Sequence, residues 1–294
     1  MIPLKTVLDV GAPALVFLSL ITVGLDLTPA DFRRLREVPG VMAVGVLAPL
    51  VVLPAIAVAL VWWFAPDPFV EAGLILVAAC PIGGISNAYS FLARASTALS
   101  VALTGVSCVV AVVAVVAIPA LTQLLGWALC EPIRADAPVA LLFLQLVFVI
   151  VLPVALGMAA RLRWPAWAQA RRPWFQRAAF ALLGLLLVTV IVIERERVAA
   201  ELSQVVLVAA AFVVLSFAAG WAAGLAARAV SADRFTLAAE FATRNIAIAT
   251  TIAVTMLGRT EFAVFGTVYF LTELPLMLAA VSVWRWRQAR TVRP

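Results

Sequence analysis

Runs of about twenty apolar residues, repeated along nearly the whole chain, restrict it to one kind of backbone. A run of that length crosses a ~30 Å hydrocarbon core as a helix, and backbone polar groups in hydrocarbon must be paired within the protein. Barrel strands would instead show short segments with a period of two. The chain is 65% hydrophobic and 12% charged, with a mean hydropathy of +1.14 over 294 residues, which leaves too little polar surface for a soluble globule. The expected fold is therefore an all-α polytopic membrane protein. About nine transmembrane helices are predicted, near 7–26, 39–63, 70–93, 97–127, 138–160, 174–193, 202–229, 233–257 and 262–284. The first reads as a retained helix, not a signal peptide, because only Lys5 precedes it and no small-residue cleavage site follows.

Basic residues orient the bundle, since Lys and Arg in short loops collect on the cytoplasmic side. With the C-terminus inside, fifteen of the 21 Lys and Arg fall in inner segments and five in outer ones, and Arg244 is intramembrane. This predicts an integral membrane protein, expected in a bacterial inner membrane, with its N-terminus outside and its C-terminus cytoplasmic. The formal charge of +6 is then explained by topology and anionic lipid, and no nucleic-acid partner is implied. Trp164, Trp167 and Trp174, interleaved with arginines between Arg161 and Arg177, suit a helix lying at the lipid interface, as an anchor or as a regulatory lipid-binding patch.

Two of the apolar spans are interrupted. Cys80-Pro81-Ile82-Gly83-Gly84-Ile85-Ser86-Asn87 breaks the third with a proline, two glycines and two polar side chains, and Glu240, Arg244 and Asn245 lie in the middle of the eighth. A pair of broken spans marks a binding site in a transporter, and charges at such depth must face protein or a wet cavity. Arg244, four residues after Glu240, is expected to share its helix face and neutralise it. Spans one to four end in a broken helix followed by a long unbroken one, spans six to nine follow the same order, and span five is an odd spacer, so inverted repeats with two broken crossing helices are expected.

Chemistry at these breaks favours ions. Thr97, Ser100, Thr104 and Ser107 lie on one face of the fourth span, a pattern that serves either helix packing or ligation. Together with Ser86, Asn87 and Glu240 they form a set of hard oxygens with one negative charge, suited to an alkali cation. The half-helix N-termini after Gly84 and Arg244 favour an anionic group. Glu273 in the ninth span is left open as a proton-coupling site, a partner of Arg244, or a solvated residue near the outer surface. Asp9 and Asp26, near span ends, read as solvated. The chain has no histidine, and Cys80, Cys108 and Cys130 lie at no metal-ligand spacing, so zinc and His-based catalysis are excluded and the chain is not expected to be an enzyme.

The motifs resemble those of the bile acid:sodium symporter family, within the bile/arsenite/riboflavin transporter superfamily. Gly24-Leu25-Asp26-Leu27-Thr28-Pro29-Ala30-Asp31-Phe32 is similar to a family helix ending, Cys80 to Asn87 to its first crossover, and Glu240-Phe241-Ala242-Thr243-Arg244-Asn245 to its second. The resemblance implies a panel domain, 1–37 and 138–195, that moves against a core domain, 38–127 and 202–286, with 287–294 as a cytoplasmic tail. It also implies that the chain starts after the first panel helix of ten-span relatives. The family's first sodium site maps to Ser86, Asn87, Ser100, Thr104 and Glu240. Gly83, Gly84, Ile85 and Asn245 would contact substrate, and Arg244 and Glu273 would bear on coupling. The family's second sodium site is altered: its two side-chain glutamines correspond to Arg244 and Pro49. The implied activity is symport of a small organic anion with sodium, at most one ion per cycle. Sodium-independent or proton-coupled transport, including an arsenite-type efflux through Cys80, is the alternative, and a channel or sensor a remote one.

Overall fold

The computed structural model describes residues 4–28, 37–124, 144 and 147–291. Among the described residues eleven helices follow one another: α1 Leu4–Asp26, α2 Pro39–Phe64, α3 Pro68–Ala79, α4 Ser86–Leu92, α5 Thr97–Leu124, α6 Leu152–Arg163, α7 Pro165–Ile193, α8 Arg195–Ala226, α9 Ser231–Ala242, α10 Ile246–Thr251 and α11 Phe262–Thr291. A π-helical turn, Val147–Val151, leads into α6, and another, Ile252–Met256, continues α10. Among the described residues there is no strand beyond one isolated bridge. Six of the helices among the described residues, α1, α2, α5, α7, α8 and α11, are long and apolar enough to cross a membrane. The protein is an all-helical, polytopic membrane protein.

Local backbone chemistry sets the turn between α2 and α3. Ala65 takes a left-handed conformation with φ 42° and closes α2 by donating to the Val61 carbonyl, and Pro68 opens α3 at a position where a missing N–H costs nothing. Small residues set the close approaches. A Cβ on Gly24 would come within 2.2 Å of the Val154 carbonyl oxygen, and one on Gly157 within 2.4 Å of that of Ile21, so α1 and α6 pack nearly backbone to backbone. α1 packs also on α7, whereas α8 packs on α9, α2 and α11.

One expectation fails in this region. The segment from Arg161 to Arg177 does not form a separate interfacial helix: α6 ends at Arg163, the chain turns at Trp164, and α7 runs unbroken from Pro165 through Pro173 to Ile193. Twenty-nine residues span roughly 43 Å at ~1.5 Å each, so α7 outreaches the hydrocarbon core and carries its Trp–Arg segment on its own first turns. Trp164, Trp167 and Trp174 are exposed there. Asp31, Phe32, Cys130 and the basic residues Arg33, Arg34, Arg36, Arg134 and Arg293 lie outside the described residues. Cys108 is buried, a small side chain in the core.

Candidate ion and solute site at the crossed helix breaks

The two interruptions meet. α3 ends at Ala79, α4 begins at Ser86, α9 ends at Ala242 and α10 begins at Ile246, and the intervening segments pair as an antiparallel bridge between Ile82 and Arg244. Gly83 N–H donates to the Thr243 carbonyl at 3.1 Å, and Asn245 N–H to that of Pro81 at 2.9 Å. Backbone that leaves the helix inside an apolar protein thus finds partners in the other break. Gly83 is required by this approach, because a Cβ there would lie 2.7 Å from the Arg244 carbonyl oxygen. The neighbouring Ile82 N–H is taken up by the Ser107 hydroxyl at 3.2 Å, which gives the last member of the α5 hydroxyl row a role.

Beside the crossing, three helices bring their oxygens together. Ser100 on α5 donates to Asn87 Oδ1 on α4 at 2.7 Å and also bonds Glu240 Oε1 on α9. Thr104, one turn along α5, lies 3.4 Å from both Asn87 Oδ1 and Glu240 Oε2. Ser86, Ser100, Thr104 and Glu240 are completely buried, and the Ser86 hydroxyl stands beside the Glu240 carboxylate. A buried carboxylate with no ion-pair partner is expensive unless a countercharge completes the cluster. Its chemistry, one carboxylate among neutral oxygens, fits a hard monovalent cation.

Arg244 behaves differently from the expectation. Because α9 stops at Ala242 and Thr243 is extended, Arg244 and Glu240 do not share a helix face, and no ion pair joins Arg244 to Glu240 or Glu273. The guanidinium donates instead to the carbonyl of Cys80, the residue that follows α3, while its Nε and Nη1 find no partner. A cation at a helix C-terminus is favourably placed against the dipole. A void of about 20 Å³, room for one water, is lined by Arg244, Pro49 and Ser107 among others.

Glu273 on α11 is buried, 1% exposed, and accepts from the Thr243 hydroxyl at 2.9 Å, so it is neither solvated nor a partner of Arg244. Tyr269, one turn before it, donates to the Ala242 carbonyl at the end of α9. Neither tyrosine-to-backbone closure nor the Thr243–Glu273 bond carries a sequence signal, since the partners lie 27 and 30 residues apart on separate helices.

A cavity of about 550 Å³ adjoins the crossing. On one side it is lined by Gly83, Gly84, Ile85, Asn87, Asn245 and Ile246, and on the other by α1 and α7. Asn87 therefore belongs both to the oxygen cluster and to the cavity wall. Asn245 caps α10 by accepting from the Ile248 N–H at 3.2 Å. Thr97, the first of the α5 hydroxyl row, lines the cavity, whereas Cys80 does not. Asp26 is not a solvated residue: it pairs with Arg172 of α7, and both line the cavity.

Two crossed broken helices with an oxygen cluster and an adjoining cavity form the kind of arrangement in which helical membrane proteins hold ions and solutes. The sequence profile of the Sodium Bile acid symporter family matches residues 13–201, and the chain belongs to that family. It is 31% identical over 149 residues, half of its length, to the Uncharacterized sodium-dependent transporter YocS of Bacillus subtilis (strain 168), covering 44% of that protein. It is 34% identical over 161 residues, 55% of the chain and 36% of the relative, to the Probable sodium/metabolite cotransporter BASS2, chloroplastic, of Oryza sativa subsp. japonica. Over 189 residues, 64% of the chain and 49% of the relative, it is 27% identical to the Sodium-dependent organic anion transporter of Rattus norvegicus. In each case the match covers less than half of the relative's length.

Proposed function

We propose that this protein is a secondary active transporter that moves a small organic anion together with one sodium ion by alternating access. The observation that carries the reading is the convergence of Ser86, Asn87, Ser100, Thr104 and Glu240 from three helices beside a 550 Å³ cavity. Sodium would sit among these oxygens as a co-transported solute. Its charge would be balanced by Glu240, and ion occupancy would fix Asn87, whose side chain also faces the solute. The solute's carboxylate would meet Gly83, Gly84, Ile85 and Asn245, with the free N–H groups at the start of α10 adding their dipole. The names of the relatives, sodium-dependent transporters and a sodium/metabolite cotransporter, support the same ion and substrate class.

Coupling to a single ion is supported by Arg244. Unwound carbonyls and half-helix C-termini are where transporters hold cations, and here the Cys80 carbonyl is already taken by a guanidinium. Arginine stays charged at any ordinary pH, so this charge is permanently tethered. The nine-span inverted-repeat arrangement, the panel (1–37, 138–195) moving against the core (38–127, 202–286), and the N-out, C-in orientation complete the reading; the bias of basic residues and the packing of α1 on α6 and α7 support it. A second reading, proton coupling through Glu273, is favoured by one observation: a buried carboxyl bonded to Thr243 inside the crossover. Arsenite-type chemistry finds less support, because Cys80 is buried away from the cavity wall.

Uptake of radiolabelled organic acids into proteoliposomes, with and without an inward sodium gradient, tests the proposal. Gradient-driven accumulation that disappears in Glu240→Gln is expected. Uptake indifferent to sodium would remove the ion site, and accumulation that instead follows an imposed pH gradient would favour Glu273.

A further inference from the structure

The cavity has a second polar region away from the crossover. Asp26 closes α1, and its carboxylate forms an ion pair with the Arg172 guanidinium on α7, accepting from Nη2 at Oδ2 at 2.9 Å. Gln176 lies one helical turn beyond Arg172, on the same face, and all three residues line the cavity. A guanidinium carries five N–H donors in a planar fork, so one edge bound to Asp26 leaves others for a ligand. Since α1 and α7 pack on each other, the Asp26–Arg172 pair presents these donors as a preset wall.

Its position relative to the carboxylate end can be read from α1. A Cβ on Gly84 would touch Val23 at 3.4 Å, so the crossover stands level with Val23. Asp26 follows three residues later, a rise of about 4.5 Å along the helix. The two polar regions are therefore separated by the length of a few covalent bonds, with apolar lining such as Phe91, Phe180, Leu183 and Phe270 completing the cavity. Asp26 also cancels the charge of Arg172, so this region offers directed N–H groups without a net positive charge. Such a region suits a neutral oxygen better than a second carboxylate.

Resting on the proposed anion transport, we propose that Arg172, oriented by Asp26, and Gln176 form a second recognition point that selects organic monoacids bearing a neutral hydrogen-bonding oxygen, a hydroxyl or amide, a few bonds from the carboxylate. Donors left unpaired in a lined cavity penalise the analogue that lacks the oxygen. Because Arg172 is partly exposed, the discrimination is that of a single ordinary hydrogen bond, about three- to tenfold in apparent affinity.

The test uses the purified full chain in detergent with sodium chloride, and the probes are short straight-chain monocarboxylates, each paired with its terminal hydroxy counterpart. Ligand-dependent thermal stabilisation gives an apparent affinity for each acid. In the wild-type protein the hydroxy acid of at least one chain length binds at least threefold tighter than its partner, and in Arg172→Met and Gln176→Leu the ratio falls to about one. Gln176→Leu leaves the Asp26–Arg172 pair in place, so a folding defect in Arg172→Met does not blur the result. Wild-type ratios near one at every chain length, or ratios unchanged in both variants, overturn the inference while leaving anion binding standing. Absence of stabilisation by any acid overturns both this inference and the transport reading beneath it.

Discussion

Gly83→Ala tests how closely the two helix breaks are locked together. The added Cβ would lie 2.7 Å from the carbonyl oxygen of Arg244, 3.0 Å from its carbonyl carbon and 3.3 Å from Thr243 Cγ2. Two of these atoms are backbone and cannot rotate aside, so the segments must separate by about 0.7 Å to restore ordinary contact at 3.4 Å. That movement stretches the Gly83–Thr243 and Asn245–Pro81 hydrogen bonds, now 3.1 and 2.9 Å. Overpacking costs ~1–3 kcal/mol and a weakened hydrogen bond ~0.5–1.5 kcal/mol, so a loss of about 2–4 kcal/mol in stability is expected. Transport should suffer more, because Ser86 and Asn87 follow directly and a displacement near 1 Å can cost ~10²-fold in rate. Thermal unfolding in detergent and initial uptake rates in proteoliposomes give the two readouts. Gly184→Ala, with nothing within 4 Å, and Gly84→Ala, which reaches only a side-chain methyl at 3.4 Å, are the controls and should unfold within ~0.5 kcal/mol of wild type. If Gly83→Ala melts like the two controls and transports like Gly184→Ala, the crossing is looser than its geometry indicates and the argument fails.

Glu240→Gln keeps the shape of the oxygen cluster and removes its charge, so sodium should no longer raise the melting temperature; a retained sodium shift would place the ion elsewhere. Initial uptake should depend on sodium with a Hill coefficient near one, and Arg244→Gln, which frees the Cys80 carbonyl, is the variant in which a second sodium dependence can arise; a wild-type coefficient near two refutes the tethered-charge reading. Glu273→Leu leaves the buried Thr243 hydroxyl without its acceptor and should lower stability by ~1–3 kcal/mol, whereas Glu273→Gln should retain most of it; equal melting of the two variants would show that the bond contributes little. Asp26→Asn should cost only ~0.5–1 kcal/mol, because the Arg172 side chain is 41% exposed and water screens the pair, and a loss of several kcal/mol in chemical denaturation would contradict that screening.

Much of this protein is written in local chemistry. Hydrocarbon-length apolar runs force helices, because no other open backbone closes its hydrogen bonds in lipid, and among the described residues six long apolar helices lie on such runs. Pro81, Gly83 and Gly84 announce the first break for equally local reasons, and the spacing of Ser100, Thr104 and Ser107 places them on one face before any fold is known. What the sequence could not give is the meeting of segments far apart along the chain. Arg244 stands four residues after Glu240, and the helical reading of that spacing was overturned by the break itself: extended backbone turned the guanidinium toward the Cys80 carbonyl, 164 residues away. Asp26 and Arg172 are separated by 146 residues, and only the packing of α1 on α7 makes a cavity wall of two residues that singly look like solvated helix ends. Periodicity reports which face of a helix is polar, but which other face it meets is set by close-packed shape, and shape exists only once the helices are assembled.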